Sequence, residues 1–184
     1  MNEPWPRLPA EEWADTLETM HLFTQVVGKI RLGYGPWLNH AWGATLYVTP
    51  RGLTTGLVPH GRAAFEVRFD LLDSRLLVET HDGARKSIDL RDTTVAGFYR
   101  AVLEAFAGVG LPVSINPLPS EIAGAIPFDE DTTHGSYVPE HARLMLRAWI
   151  DSQRVMQAFR ASYVGKSSPV HLYWGGFDLA TYRF

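Results

Sequence analysis

Hydrophobic side chains recur at helical spacing most clearly between residues 95 and 106. Apolar residues there lie three and four positions apart and form one face: Val95, Phe98, Tyr99, Val102, Leu103 and Phe106. Asp92 or Thr93 can cap the start of this segment, and Gly108 ends it. The pattern predicts an amphipathic helix.

Two further stretches repeat this periodicity. The first is predicted to be helical after Pro9 and to end near Gly33. The other begins near Pro139, a residue suited to the first position of a helix, and closes at Gly165. Each carries an apolar stripe, so three amphipathic helices are expected.

Alternating and β-branched runs between the helices predict strands. Phe65, Val67 and Phe69 alternate with charged residues, as in a strand that is buried on one side. Asp82-Gly83 indicates a tight hairpin. The predicted strands cover residues 40–49, 63–71, 76–80, 86–90, 113–115, 170–174 and 177–182. Because the strands cluster together, we expect an α+β fold with a largely antiparallel sheet and three helices packed on one of its faces.

Composition narrows the class of protein. The 184 residues are 46% hydrophobic and 20% charged, with 17 Lys+Arg against 20 Asp+Glu, which indicates a folded chain of 1–184 as one domain. The net charge of −3 argues against nucleic-acid binding. Absence of cysteine excludes disulfides and thiolate chemistry. Met1–Arg7 lacks a signal peptide's basic start and no run approaches a membrane span, so a soluble, cytoplasmic protein is expected.

The densest polar patch lies in a proline-rich connection over residues 127–137. Asp129, Asp131 and His134 could bind a divalent metal, or a carboxylate could orient the histidine for acid–base catalysis. The spacing matches no standard metal motif. The alternative is a solvated acidic loop whose aspartates cap turns.

Three histidines from distant segments are further candidates for catalysis. His21 shares a helical face with Gln25 and Lys29, while His40 and His171 lie on predicted strands. If these elements lined one concavity, His21, His40 and His171 could supply acid–base groups or a three-histidine metal site. Each could instead be an ordinary structural histidine.

A pocket between the sheet and the first helix would bring these groups together. We expect Trp42, Tyr137 and Trp174 to line it, with Lys29 and Lys166 holding a small anionic ligand. The expected function is a small-molecule enzyme or a ligand-binding domain. The alternative is a non-catalytic interaction module that uses an aromatic surface for a partner or a homodimer.

Several blocks of the chain resemble a bacterial family defined as a domain of unknown function. The resembling blocks are Trp13 and residues 21–25, 27–32, 39–49, 51–55, 127–131, 136–137, 165–171, 174–175 and 177–179. They cover nearly the whole chain and include the polar candidates named above. The resemblance implies no activity, since none is assigned to the family. It also implies that members continue past Phe184, so we expect this chain to correspond to their front portion.

Overall fold

A computed structural model describes residues 5–184; residues 1–4 of the N-terminal segment considered above lie outside it. The elements in chain order are α1 (Ala10–Tyr34), a 3₁₀ helix (Asn39–Ala44), β1 (Thr45–Thr49), β2 (Gly52–Thr54), β3 (Val58–His60), β4 (Ala63–Asp70), β5 (Arg75–Thr80), β6 (Arg85–Asp89), α2 (Val95–Gly108), α3 (Pro139–Ala161), β7 (His171–Tyr173) and β8 (Asp178–Ala180). In this part of the chain no helix is both long enough and apolar enough to cross a bilayer.

The strands form one antiparallel sheet, which confirms the predicted α+β class. The strand order is β6-β5-β4-β2-β1-β7-β8, and β3 pairs with the opposite end of β4 from β2. Val67 on β4 pairs with Val78 on β5, and the hairpin predicted at Asp82-Gly83 joins β5 to β6. The alternating pattern therefore sets the register, because it sends every second side chain of β4 to the core.

Phenylalanines from the sheet and two helices make the centre of the core. The rings of Phe23 on α1 and Phe98 on α2 stack with centroids 4.0 Å apart, and Phe69 of β4 lies 6.3 Å from Phe98. Phe65 and Phe106 meet edge to face at 5.1 Å. All five are at most 1% exposed, so α1 and α2 are fixed to the sheet by aromatic packing.

Helix α1 is more deeply buried than an amphipathic helix on a sheet face. Every residue from 22 to 28 is buried, which covers the whole circumference of the helix. At Gly28 the helix backbone packs directly against the indole of Trp174, where a Cβ atom would collide with the ring. The sheet, α2, α3 and the long connection all contact α1, so its buried polar side chains, such as Thr16 and Gln25, hydrogen-bond to protein groups.

Two local expectations are wrong, and two short strands were missed. Residues 39–44 form a 3₁₀ turn instead of strand, because His40 and Ala41 both adopt a left-handed φ of 56° that a strand cannot contain. Residues 113–115 pair with no strand; Ser114 N instead donates to the hydroxyl of Tyr34 at 2.7 Å. The short strands β2 and β3 were not expected.

Candidate functional site

A cleft of about 370 Å³ lies between α1 and the connection that joins α2 to α3. Helix α1 contributes Glu18, His21 and Leu22, and the connection contributes residues 122–126 with Asp131 and His134. Its volume is within the range of small-molecule sites. The cleft therefore combines apolar walls with two imidazoles and two carboxylates.

Asp131 and His134 form a hydrogen-bonded pair at one end of this cleft. The distance from His134 Nδ1 to Asp131 Oδ2 is 2.7 Å, and the aspartate is 1% exposed. Its other oxygen, Oδ1, accepts from the backbone nitrogens of Thr133 at 3.0 Å and of His134 at 3.1 Å. Since an ionised carboxylate only accepts, Nδ1 carries the ring proton and Nε2 keeps a lone pair.

The free nitrogen of His134 lies at the cleft. The carboxylate oxygen Glu18 Oε2 lies 3.7 Å from Nε2, which is longer than a hydrogen bond. The His134 side chain is 31% exposed and that of Glu18 is 62% exposed. A ligand in the cleft can therefore reach Nε2 without breaking a hydrogen bond.

The N-terminus of α2 fixes the backbone on which this pair stands. Ala96 N donates to Asp131 O at 2.9 Å and Val95 N donates to His134 O at 2.8 Å. The hydroxyl of Thr94 caps the helix by accepting from Gly97 N at 3.2 Å. The first turn of a helix has backbone donors without partners of its own, and here the loop carbonyls accept from two of them.

Two buried threonines of α1 hold the segment that follows His134. Thr16 Oγ1 donates to Ser136 O at 2.8 Å, and Thr19 Oγ1 accepts from Ser136 N at 3.1 Å. Both threonines are at most 1% exposed, so these bonds are shielded from water. Helix α2 therefore holds the loop at Asp131 and His134, and helix α1 holds it two residues later, at Ser136.

Gln25 of α1 also holds the backbone of the connection, at the other end of the cleft wall. Its Oε1 accepts from Ser120 N at 2.7 Å and its Nε2 donates to Ser120 O at 2.9 Å, so the buried amide holds both backbone groups of one residue. His21 Nε2 lies 2.7 Å from Gly175 O and 3.1 Å from Gln25 Nε2; because the carbonyl is the shorter contact and only accepts, we assign the proton of the neutral ring to Nε2, which leaves Nδ1 as the acceptor. The ring also stacks on Phe177 at 5.1 Å.

The cleft is lined by acidic and neutral residues. Neither Lys29 nor Lys166 lines it. The Lys29 ammonium lies 6.0 Å from the Phe128 ring, where burial lowers its pKa. Lys166 is exposed and lies 5.1 Å over the ring of Phe184. The geometry thus separates both lysines from the histidine–aspartate pair.

The three histidines expected to meet do not form a metal site. His40 is exposed on the 3₁₀ turn, with its ring near Trp42 and Phe184. His171 is 1% exposed, and its Nδ1 donates to Pro169 O at 2.8 Å. Within residues 5–184 no three or more histidine, aspartate or glutamate side chains are placed to hold a metal ion. Neither His40 nor His171 lines the cleft that His21 lines.

Other predicted pocket residues have structural surroundings. Asp129 is exposed, and the neighbouring Asp131 takes the place beside His134. Tyr137 is buried and donates to Ser74 Oγ at 3.3 Å, and burial raises its pKa. Trp174 covers Gly28 of α1. None of these three lines the cleft, which lies against the connection and not against the sheet.

A larger depression, of about 690 Å³, lies on the outer face of the sheet. Its charged groups already pair with one another: Arg51 contacts Asp70 and Asp73, each at 2.6 Å, and Arg68 contacts Glu79. The arginine also lowers the pKa of Asp70 against the effect of burial. These charges neutralise one another, so this face offers weaker acid–base chemistry than the cleft.

Sequence reasoning missed Glu18. It also missed the tethers of the connection, by which we mean the α1 side chains of Thr16, Thr19 and Gln25 that hydrogen-bond to its backbone. Glu18 lies three positions before His21 on α1, a spacing that places the two on one helix face and could have been noticed. The threonines gave no local signal, since their partner Ser136 is more than a hundred residues away.

The comparisons with known proteins match the whole described chain to one family. No curated protein and no solved structure matches it. The matching model is that of a family of unknown function, DUF5996, and it covers residues 5–184, which include both walls of the cleft and all its tethers. The chain that builds this histidine–aspartate cleft therefore belongs to the family of unknown function DUF5996.

Proposed function

We propose that this protein is an enzyme that acts on a small molecule, with His134 as its general acid–base group. The observation that carries the proposal is the 2.7 Å bond from His134 to the buried Asp131, with the other ring nitrogen free at a cleft of about 370 Å³. A carboxylate that fixes the tautomer and supports the imidazolium is the arrangement that makes histidine an effective base.

In the proposed reaction His134 Nε2 takes a proton from a hydroxyl group of the substrate or from a water molecule. The oxygen that loses the proton attacks the electrophilic centre, and Asp131 stabilises the imidazolium through its bond to Nδ1. The imidazolium then returns the proton to the leaving group, which restores the neutral ring. His21 lines the same cleft and can accept a hydrogen bond through Nδ1, which suits a role in orienting the substrate.

The charge of the cleft favours a neutral or cationic substrate. Glu18 and Asp131 line it, and no lysine or arginine in residues 5–184 does. Apolar contacts come from Leu22, Ile122 and Ile126. An anionic ligand held by Lys29 and Lys166 would need both cations to line the same space, so the substrate class proposed from the structure differs from the one expected from the sequence.

Hydrolysis of p-nitrophenyl acetate tests the proposal, because a general base that deprotonates water speeds the attack of that water on the ester, which releases a coloured phenolate. His134→Gln should slow release by at least about tenfold, since the base is removed. His60→Gln, at an exposed position on β3, is the matched control and should react like the wild type. Equal rates for the two variants, with both folded by circular dichroism, would refute a catalytic His134.

A second candidate function is a homodimer formed through the outer face of α3. Val155 and Phe159 lie one turn apart on this helix and are 51% and 52% exposed, an apolar pair on the surface. Sedimentation of the wild type and of Phe159→Lys tests this interface. A wild-type dimer that becomes a monomer in the variant supports it, and the same mass for the wild type and the variant rejects it.

A further inference from the structure

Arg31 is a buried cation near the end of α1. It is 8% exposed, and within residues 5–184 every hydrogen-bond partner of its guanidinium is neutral. One terminal nitrogen donates to the carbonyl and, at 2.9 Å, to the hydroxyl of Thr45; the other donates to Tyr47 OH at 3.4 Å. The Tyr47 ring lies 4.9 Å from the guanidinium carbon. The guanidinium therefore has hydrogen-bond acceptors but no negatively charged partner within residues 5–184.

None of the ion pairs among residues 5–184 involves Arg31. A buried charge is costly unless it is paired, and protein arginines in such positions normally face a carboxylate or phosphate. The last carbonyls of α1 contribute only the partial negative charge of a helix C-terminus. The electrostatic balance of this corner is therefore incomplete without an anion.

A cavity of about 70 Å³ lies beside this arginine. Apart from Arg31, the residues that line it are glycines, prolines and aliphatic residues: Gly35, Pro36, Leu38, Gly43, Leu57, Val58 and Pro59. Among residues 5–184 no acidic residue lines it. The space accommodates a carboxylate group and is well below the roughly 300 Å³ of a typical small-molecule pocket.

The rim of the cavity is apolar and exposed. Leu57 is 74% exposed, Leu38 is 39% exposed, and the adjacent Trp37 is 77% exposed. Side chains of this kind stabilise an apolar group that projects out of the cavity, since both surfaces leave water on contact. A ligand that fits both parts has an anionic head for Arg31 and a hydrophobic tail for the rim.

We propose that the Arg31 cavity is a second ligand site, separate from the His134 cleft, which binds the carboxylate of an aliphatic monocarboxylic acid. The guanidinium holds the carboxylate through its remaining N–H donors, and Leu38 and Leu57 contact the alkyl chain. The lining supplies no second cation, so a monoanion matches the site better than a multiply charged phosphate ester.

Calorimetric titration with sodium hexanoate tests the site. Hexanoate should bind saturably at a ratio of one, whereas hexan-1-ol and hexylamine, which have the same chain without the negative charge, should not bind. Inorganic phosphate should bind at least about tenfold more weakly than hexanoate, because it lacks the tail. Equal binding of hexanoate and hexan-1-ol, or of hexanoate and phosphate, would overturn the assignment.

Two substitutions locate the binding. Leu57→Asp places a negative charge on the exposed rim and should raise the Kd of hexanoate about tenfold without unfolding the chain. Leu72→Asp is the control, since Leu72 is also partly exposed but does not line the cavity, and its Kd should match the wild type. Arg31→Met should abolish binding if it folds. A Kd unchanged in Leu57→Asp would place hexanoate elsewhere and refute the proposal.

Discussion

Replacement of Asp131 separates its two tasks, which are holding the loop and orienting His134. Asp131→Ala removes the acceptor of three hydrogen bonds, including those from the backbone nitrogens of Thr133 and His134. Asp131→Asn keeps an oxygen at the Oδ1 position for the two backbone donors. Its amide nitrogen then faces His134 Nδ1, where the carboxylate oxygen had been.

The two variants should differ by about 2 kcal/mol in the free energy of unfolding. Asp131→Ala loses a charge-assisted bond and leaves two backbone donors without their partner, for a total of about 3 kcal/mol. Asp131→Asn loses only the charge-assisted part, about 1 kcal/mol. Urea denaturation, with equal m-values as the check on two-state unfolding, measures both.

The asparagine variant should also invert the tautomer of His134. An amide N–H at the Oδ2 position must donate, so Nδ1 becomes the acceptor and the ring proton moves to Nε2. Nitrogen-15 shifts of the labelled imidazole distinguish the two tautomers. Equal destabilisation by alanine and asparagine, or an unchanged Nδ1–H tautomer in the asparagine variant, would refute the interpretation of this pair.

Three further predictions concern the framework around the cleft. Gly28→Ala should destabilise the protein by about 1–3 kcal/mol, because the new Cβ collides with Trp174. Gly33→Ala on the same helix has open space around it and should stabilise the protein by about 0.5 kcal/mol. Thermal melts measure both, and equal melting temperatures for the two variants would contradict the prediction. Thr94→Ala should cost about 1 kcal/mol in urea unfolding, and a cost near zero would exclude its cap. Burial lowers the pKa of His171 from 6.5, so the unfolded chain binds a proton at higher pH than the folded chain, and the free energy of unfolding should fall as the pH drops below about 6.5. In urea titrations at pH 7.5 and 5.5, His171→Gln should reduce this dependence on pH, and an unchanged dependence would contradict the prediction.

Much of the fold follows from local patterns in the sequence. The spacing of apolar residues predicted α2 and the alternation of Phe65, Val67 and Phe69 predicted β4, because both patterns reflect which side chains meet the core. The failure at residues 39–44 has a different origin. His40 and Ala41 have left-handed backbone conformations, and β-type composition alone gives no sign of them.

The candidate site was only partly predictable. Asp131 and His134 lie three residues apart, so the sequence could suggest a carboxylate that orients an imidazole. The tethers that fix this loop join α1 to residues more than ninety positions later, as in the bonds from Gln25 to Ser120 and from Thr19 to Ser136. Such partners depend on tertiary packing. For the same reason the sequence could not show that the histidine sharing the cleft with His21 is His134, whereas His40 and His171 do not line it.

The placement of the tethers has a consequence for how this cleft can diversify. Ser120 is fastened by Gln25 at one end and Asp131 by α2 at the other, while residues 122–126 form the wall between them. Side chains along that wall can be exchanged while the hydrogen bonds at both ends persist. Substitutions at a handful of positions in this one loop should therefore reshape the cleft while the hydrogen bond between His134 and Asp131 stays in place.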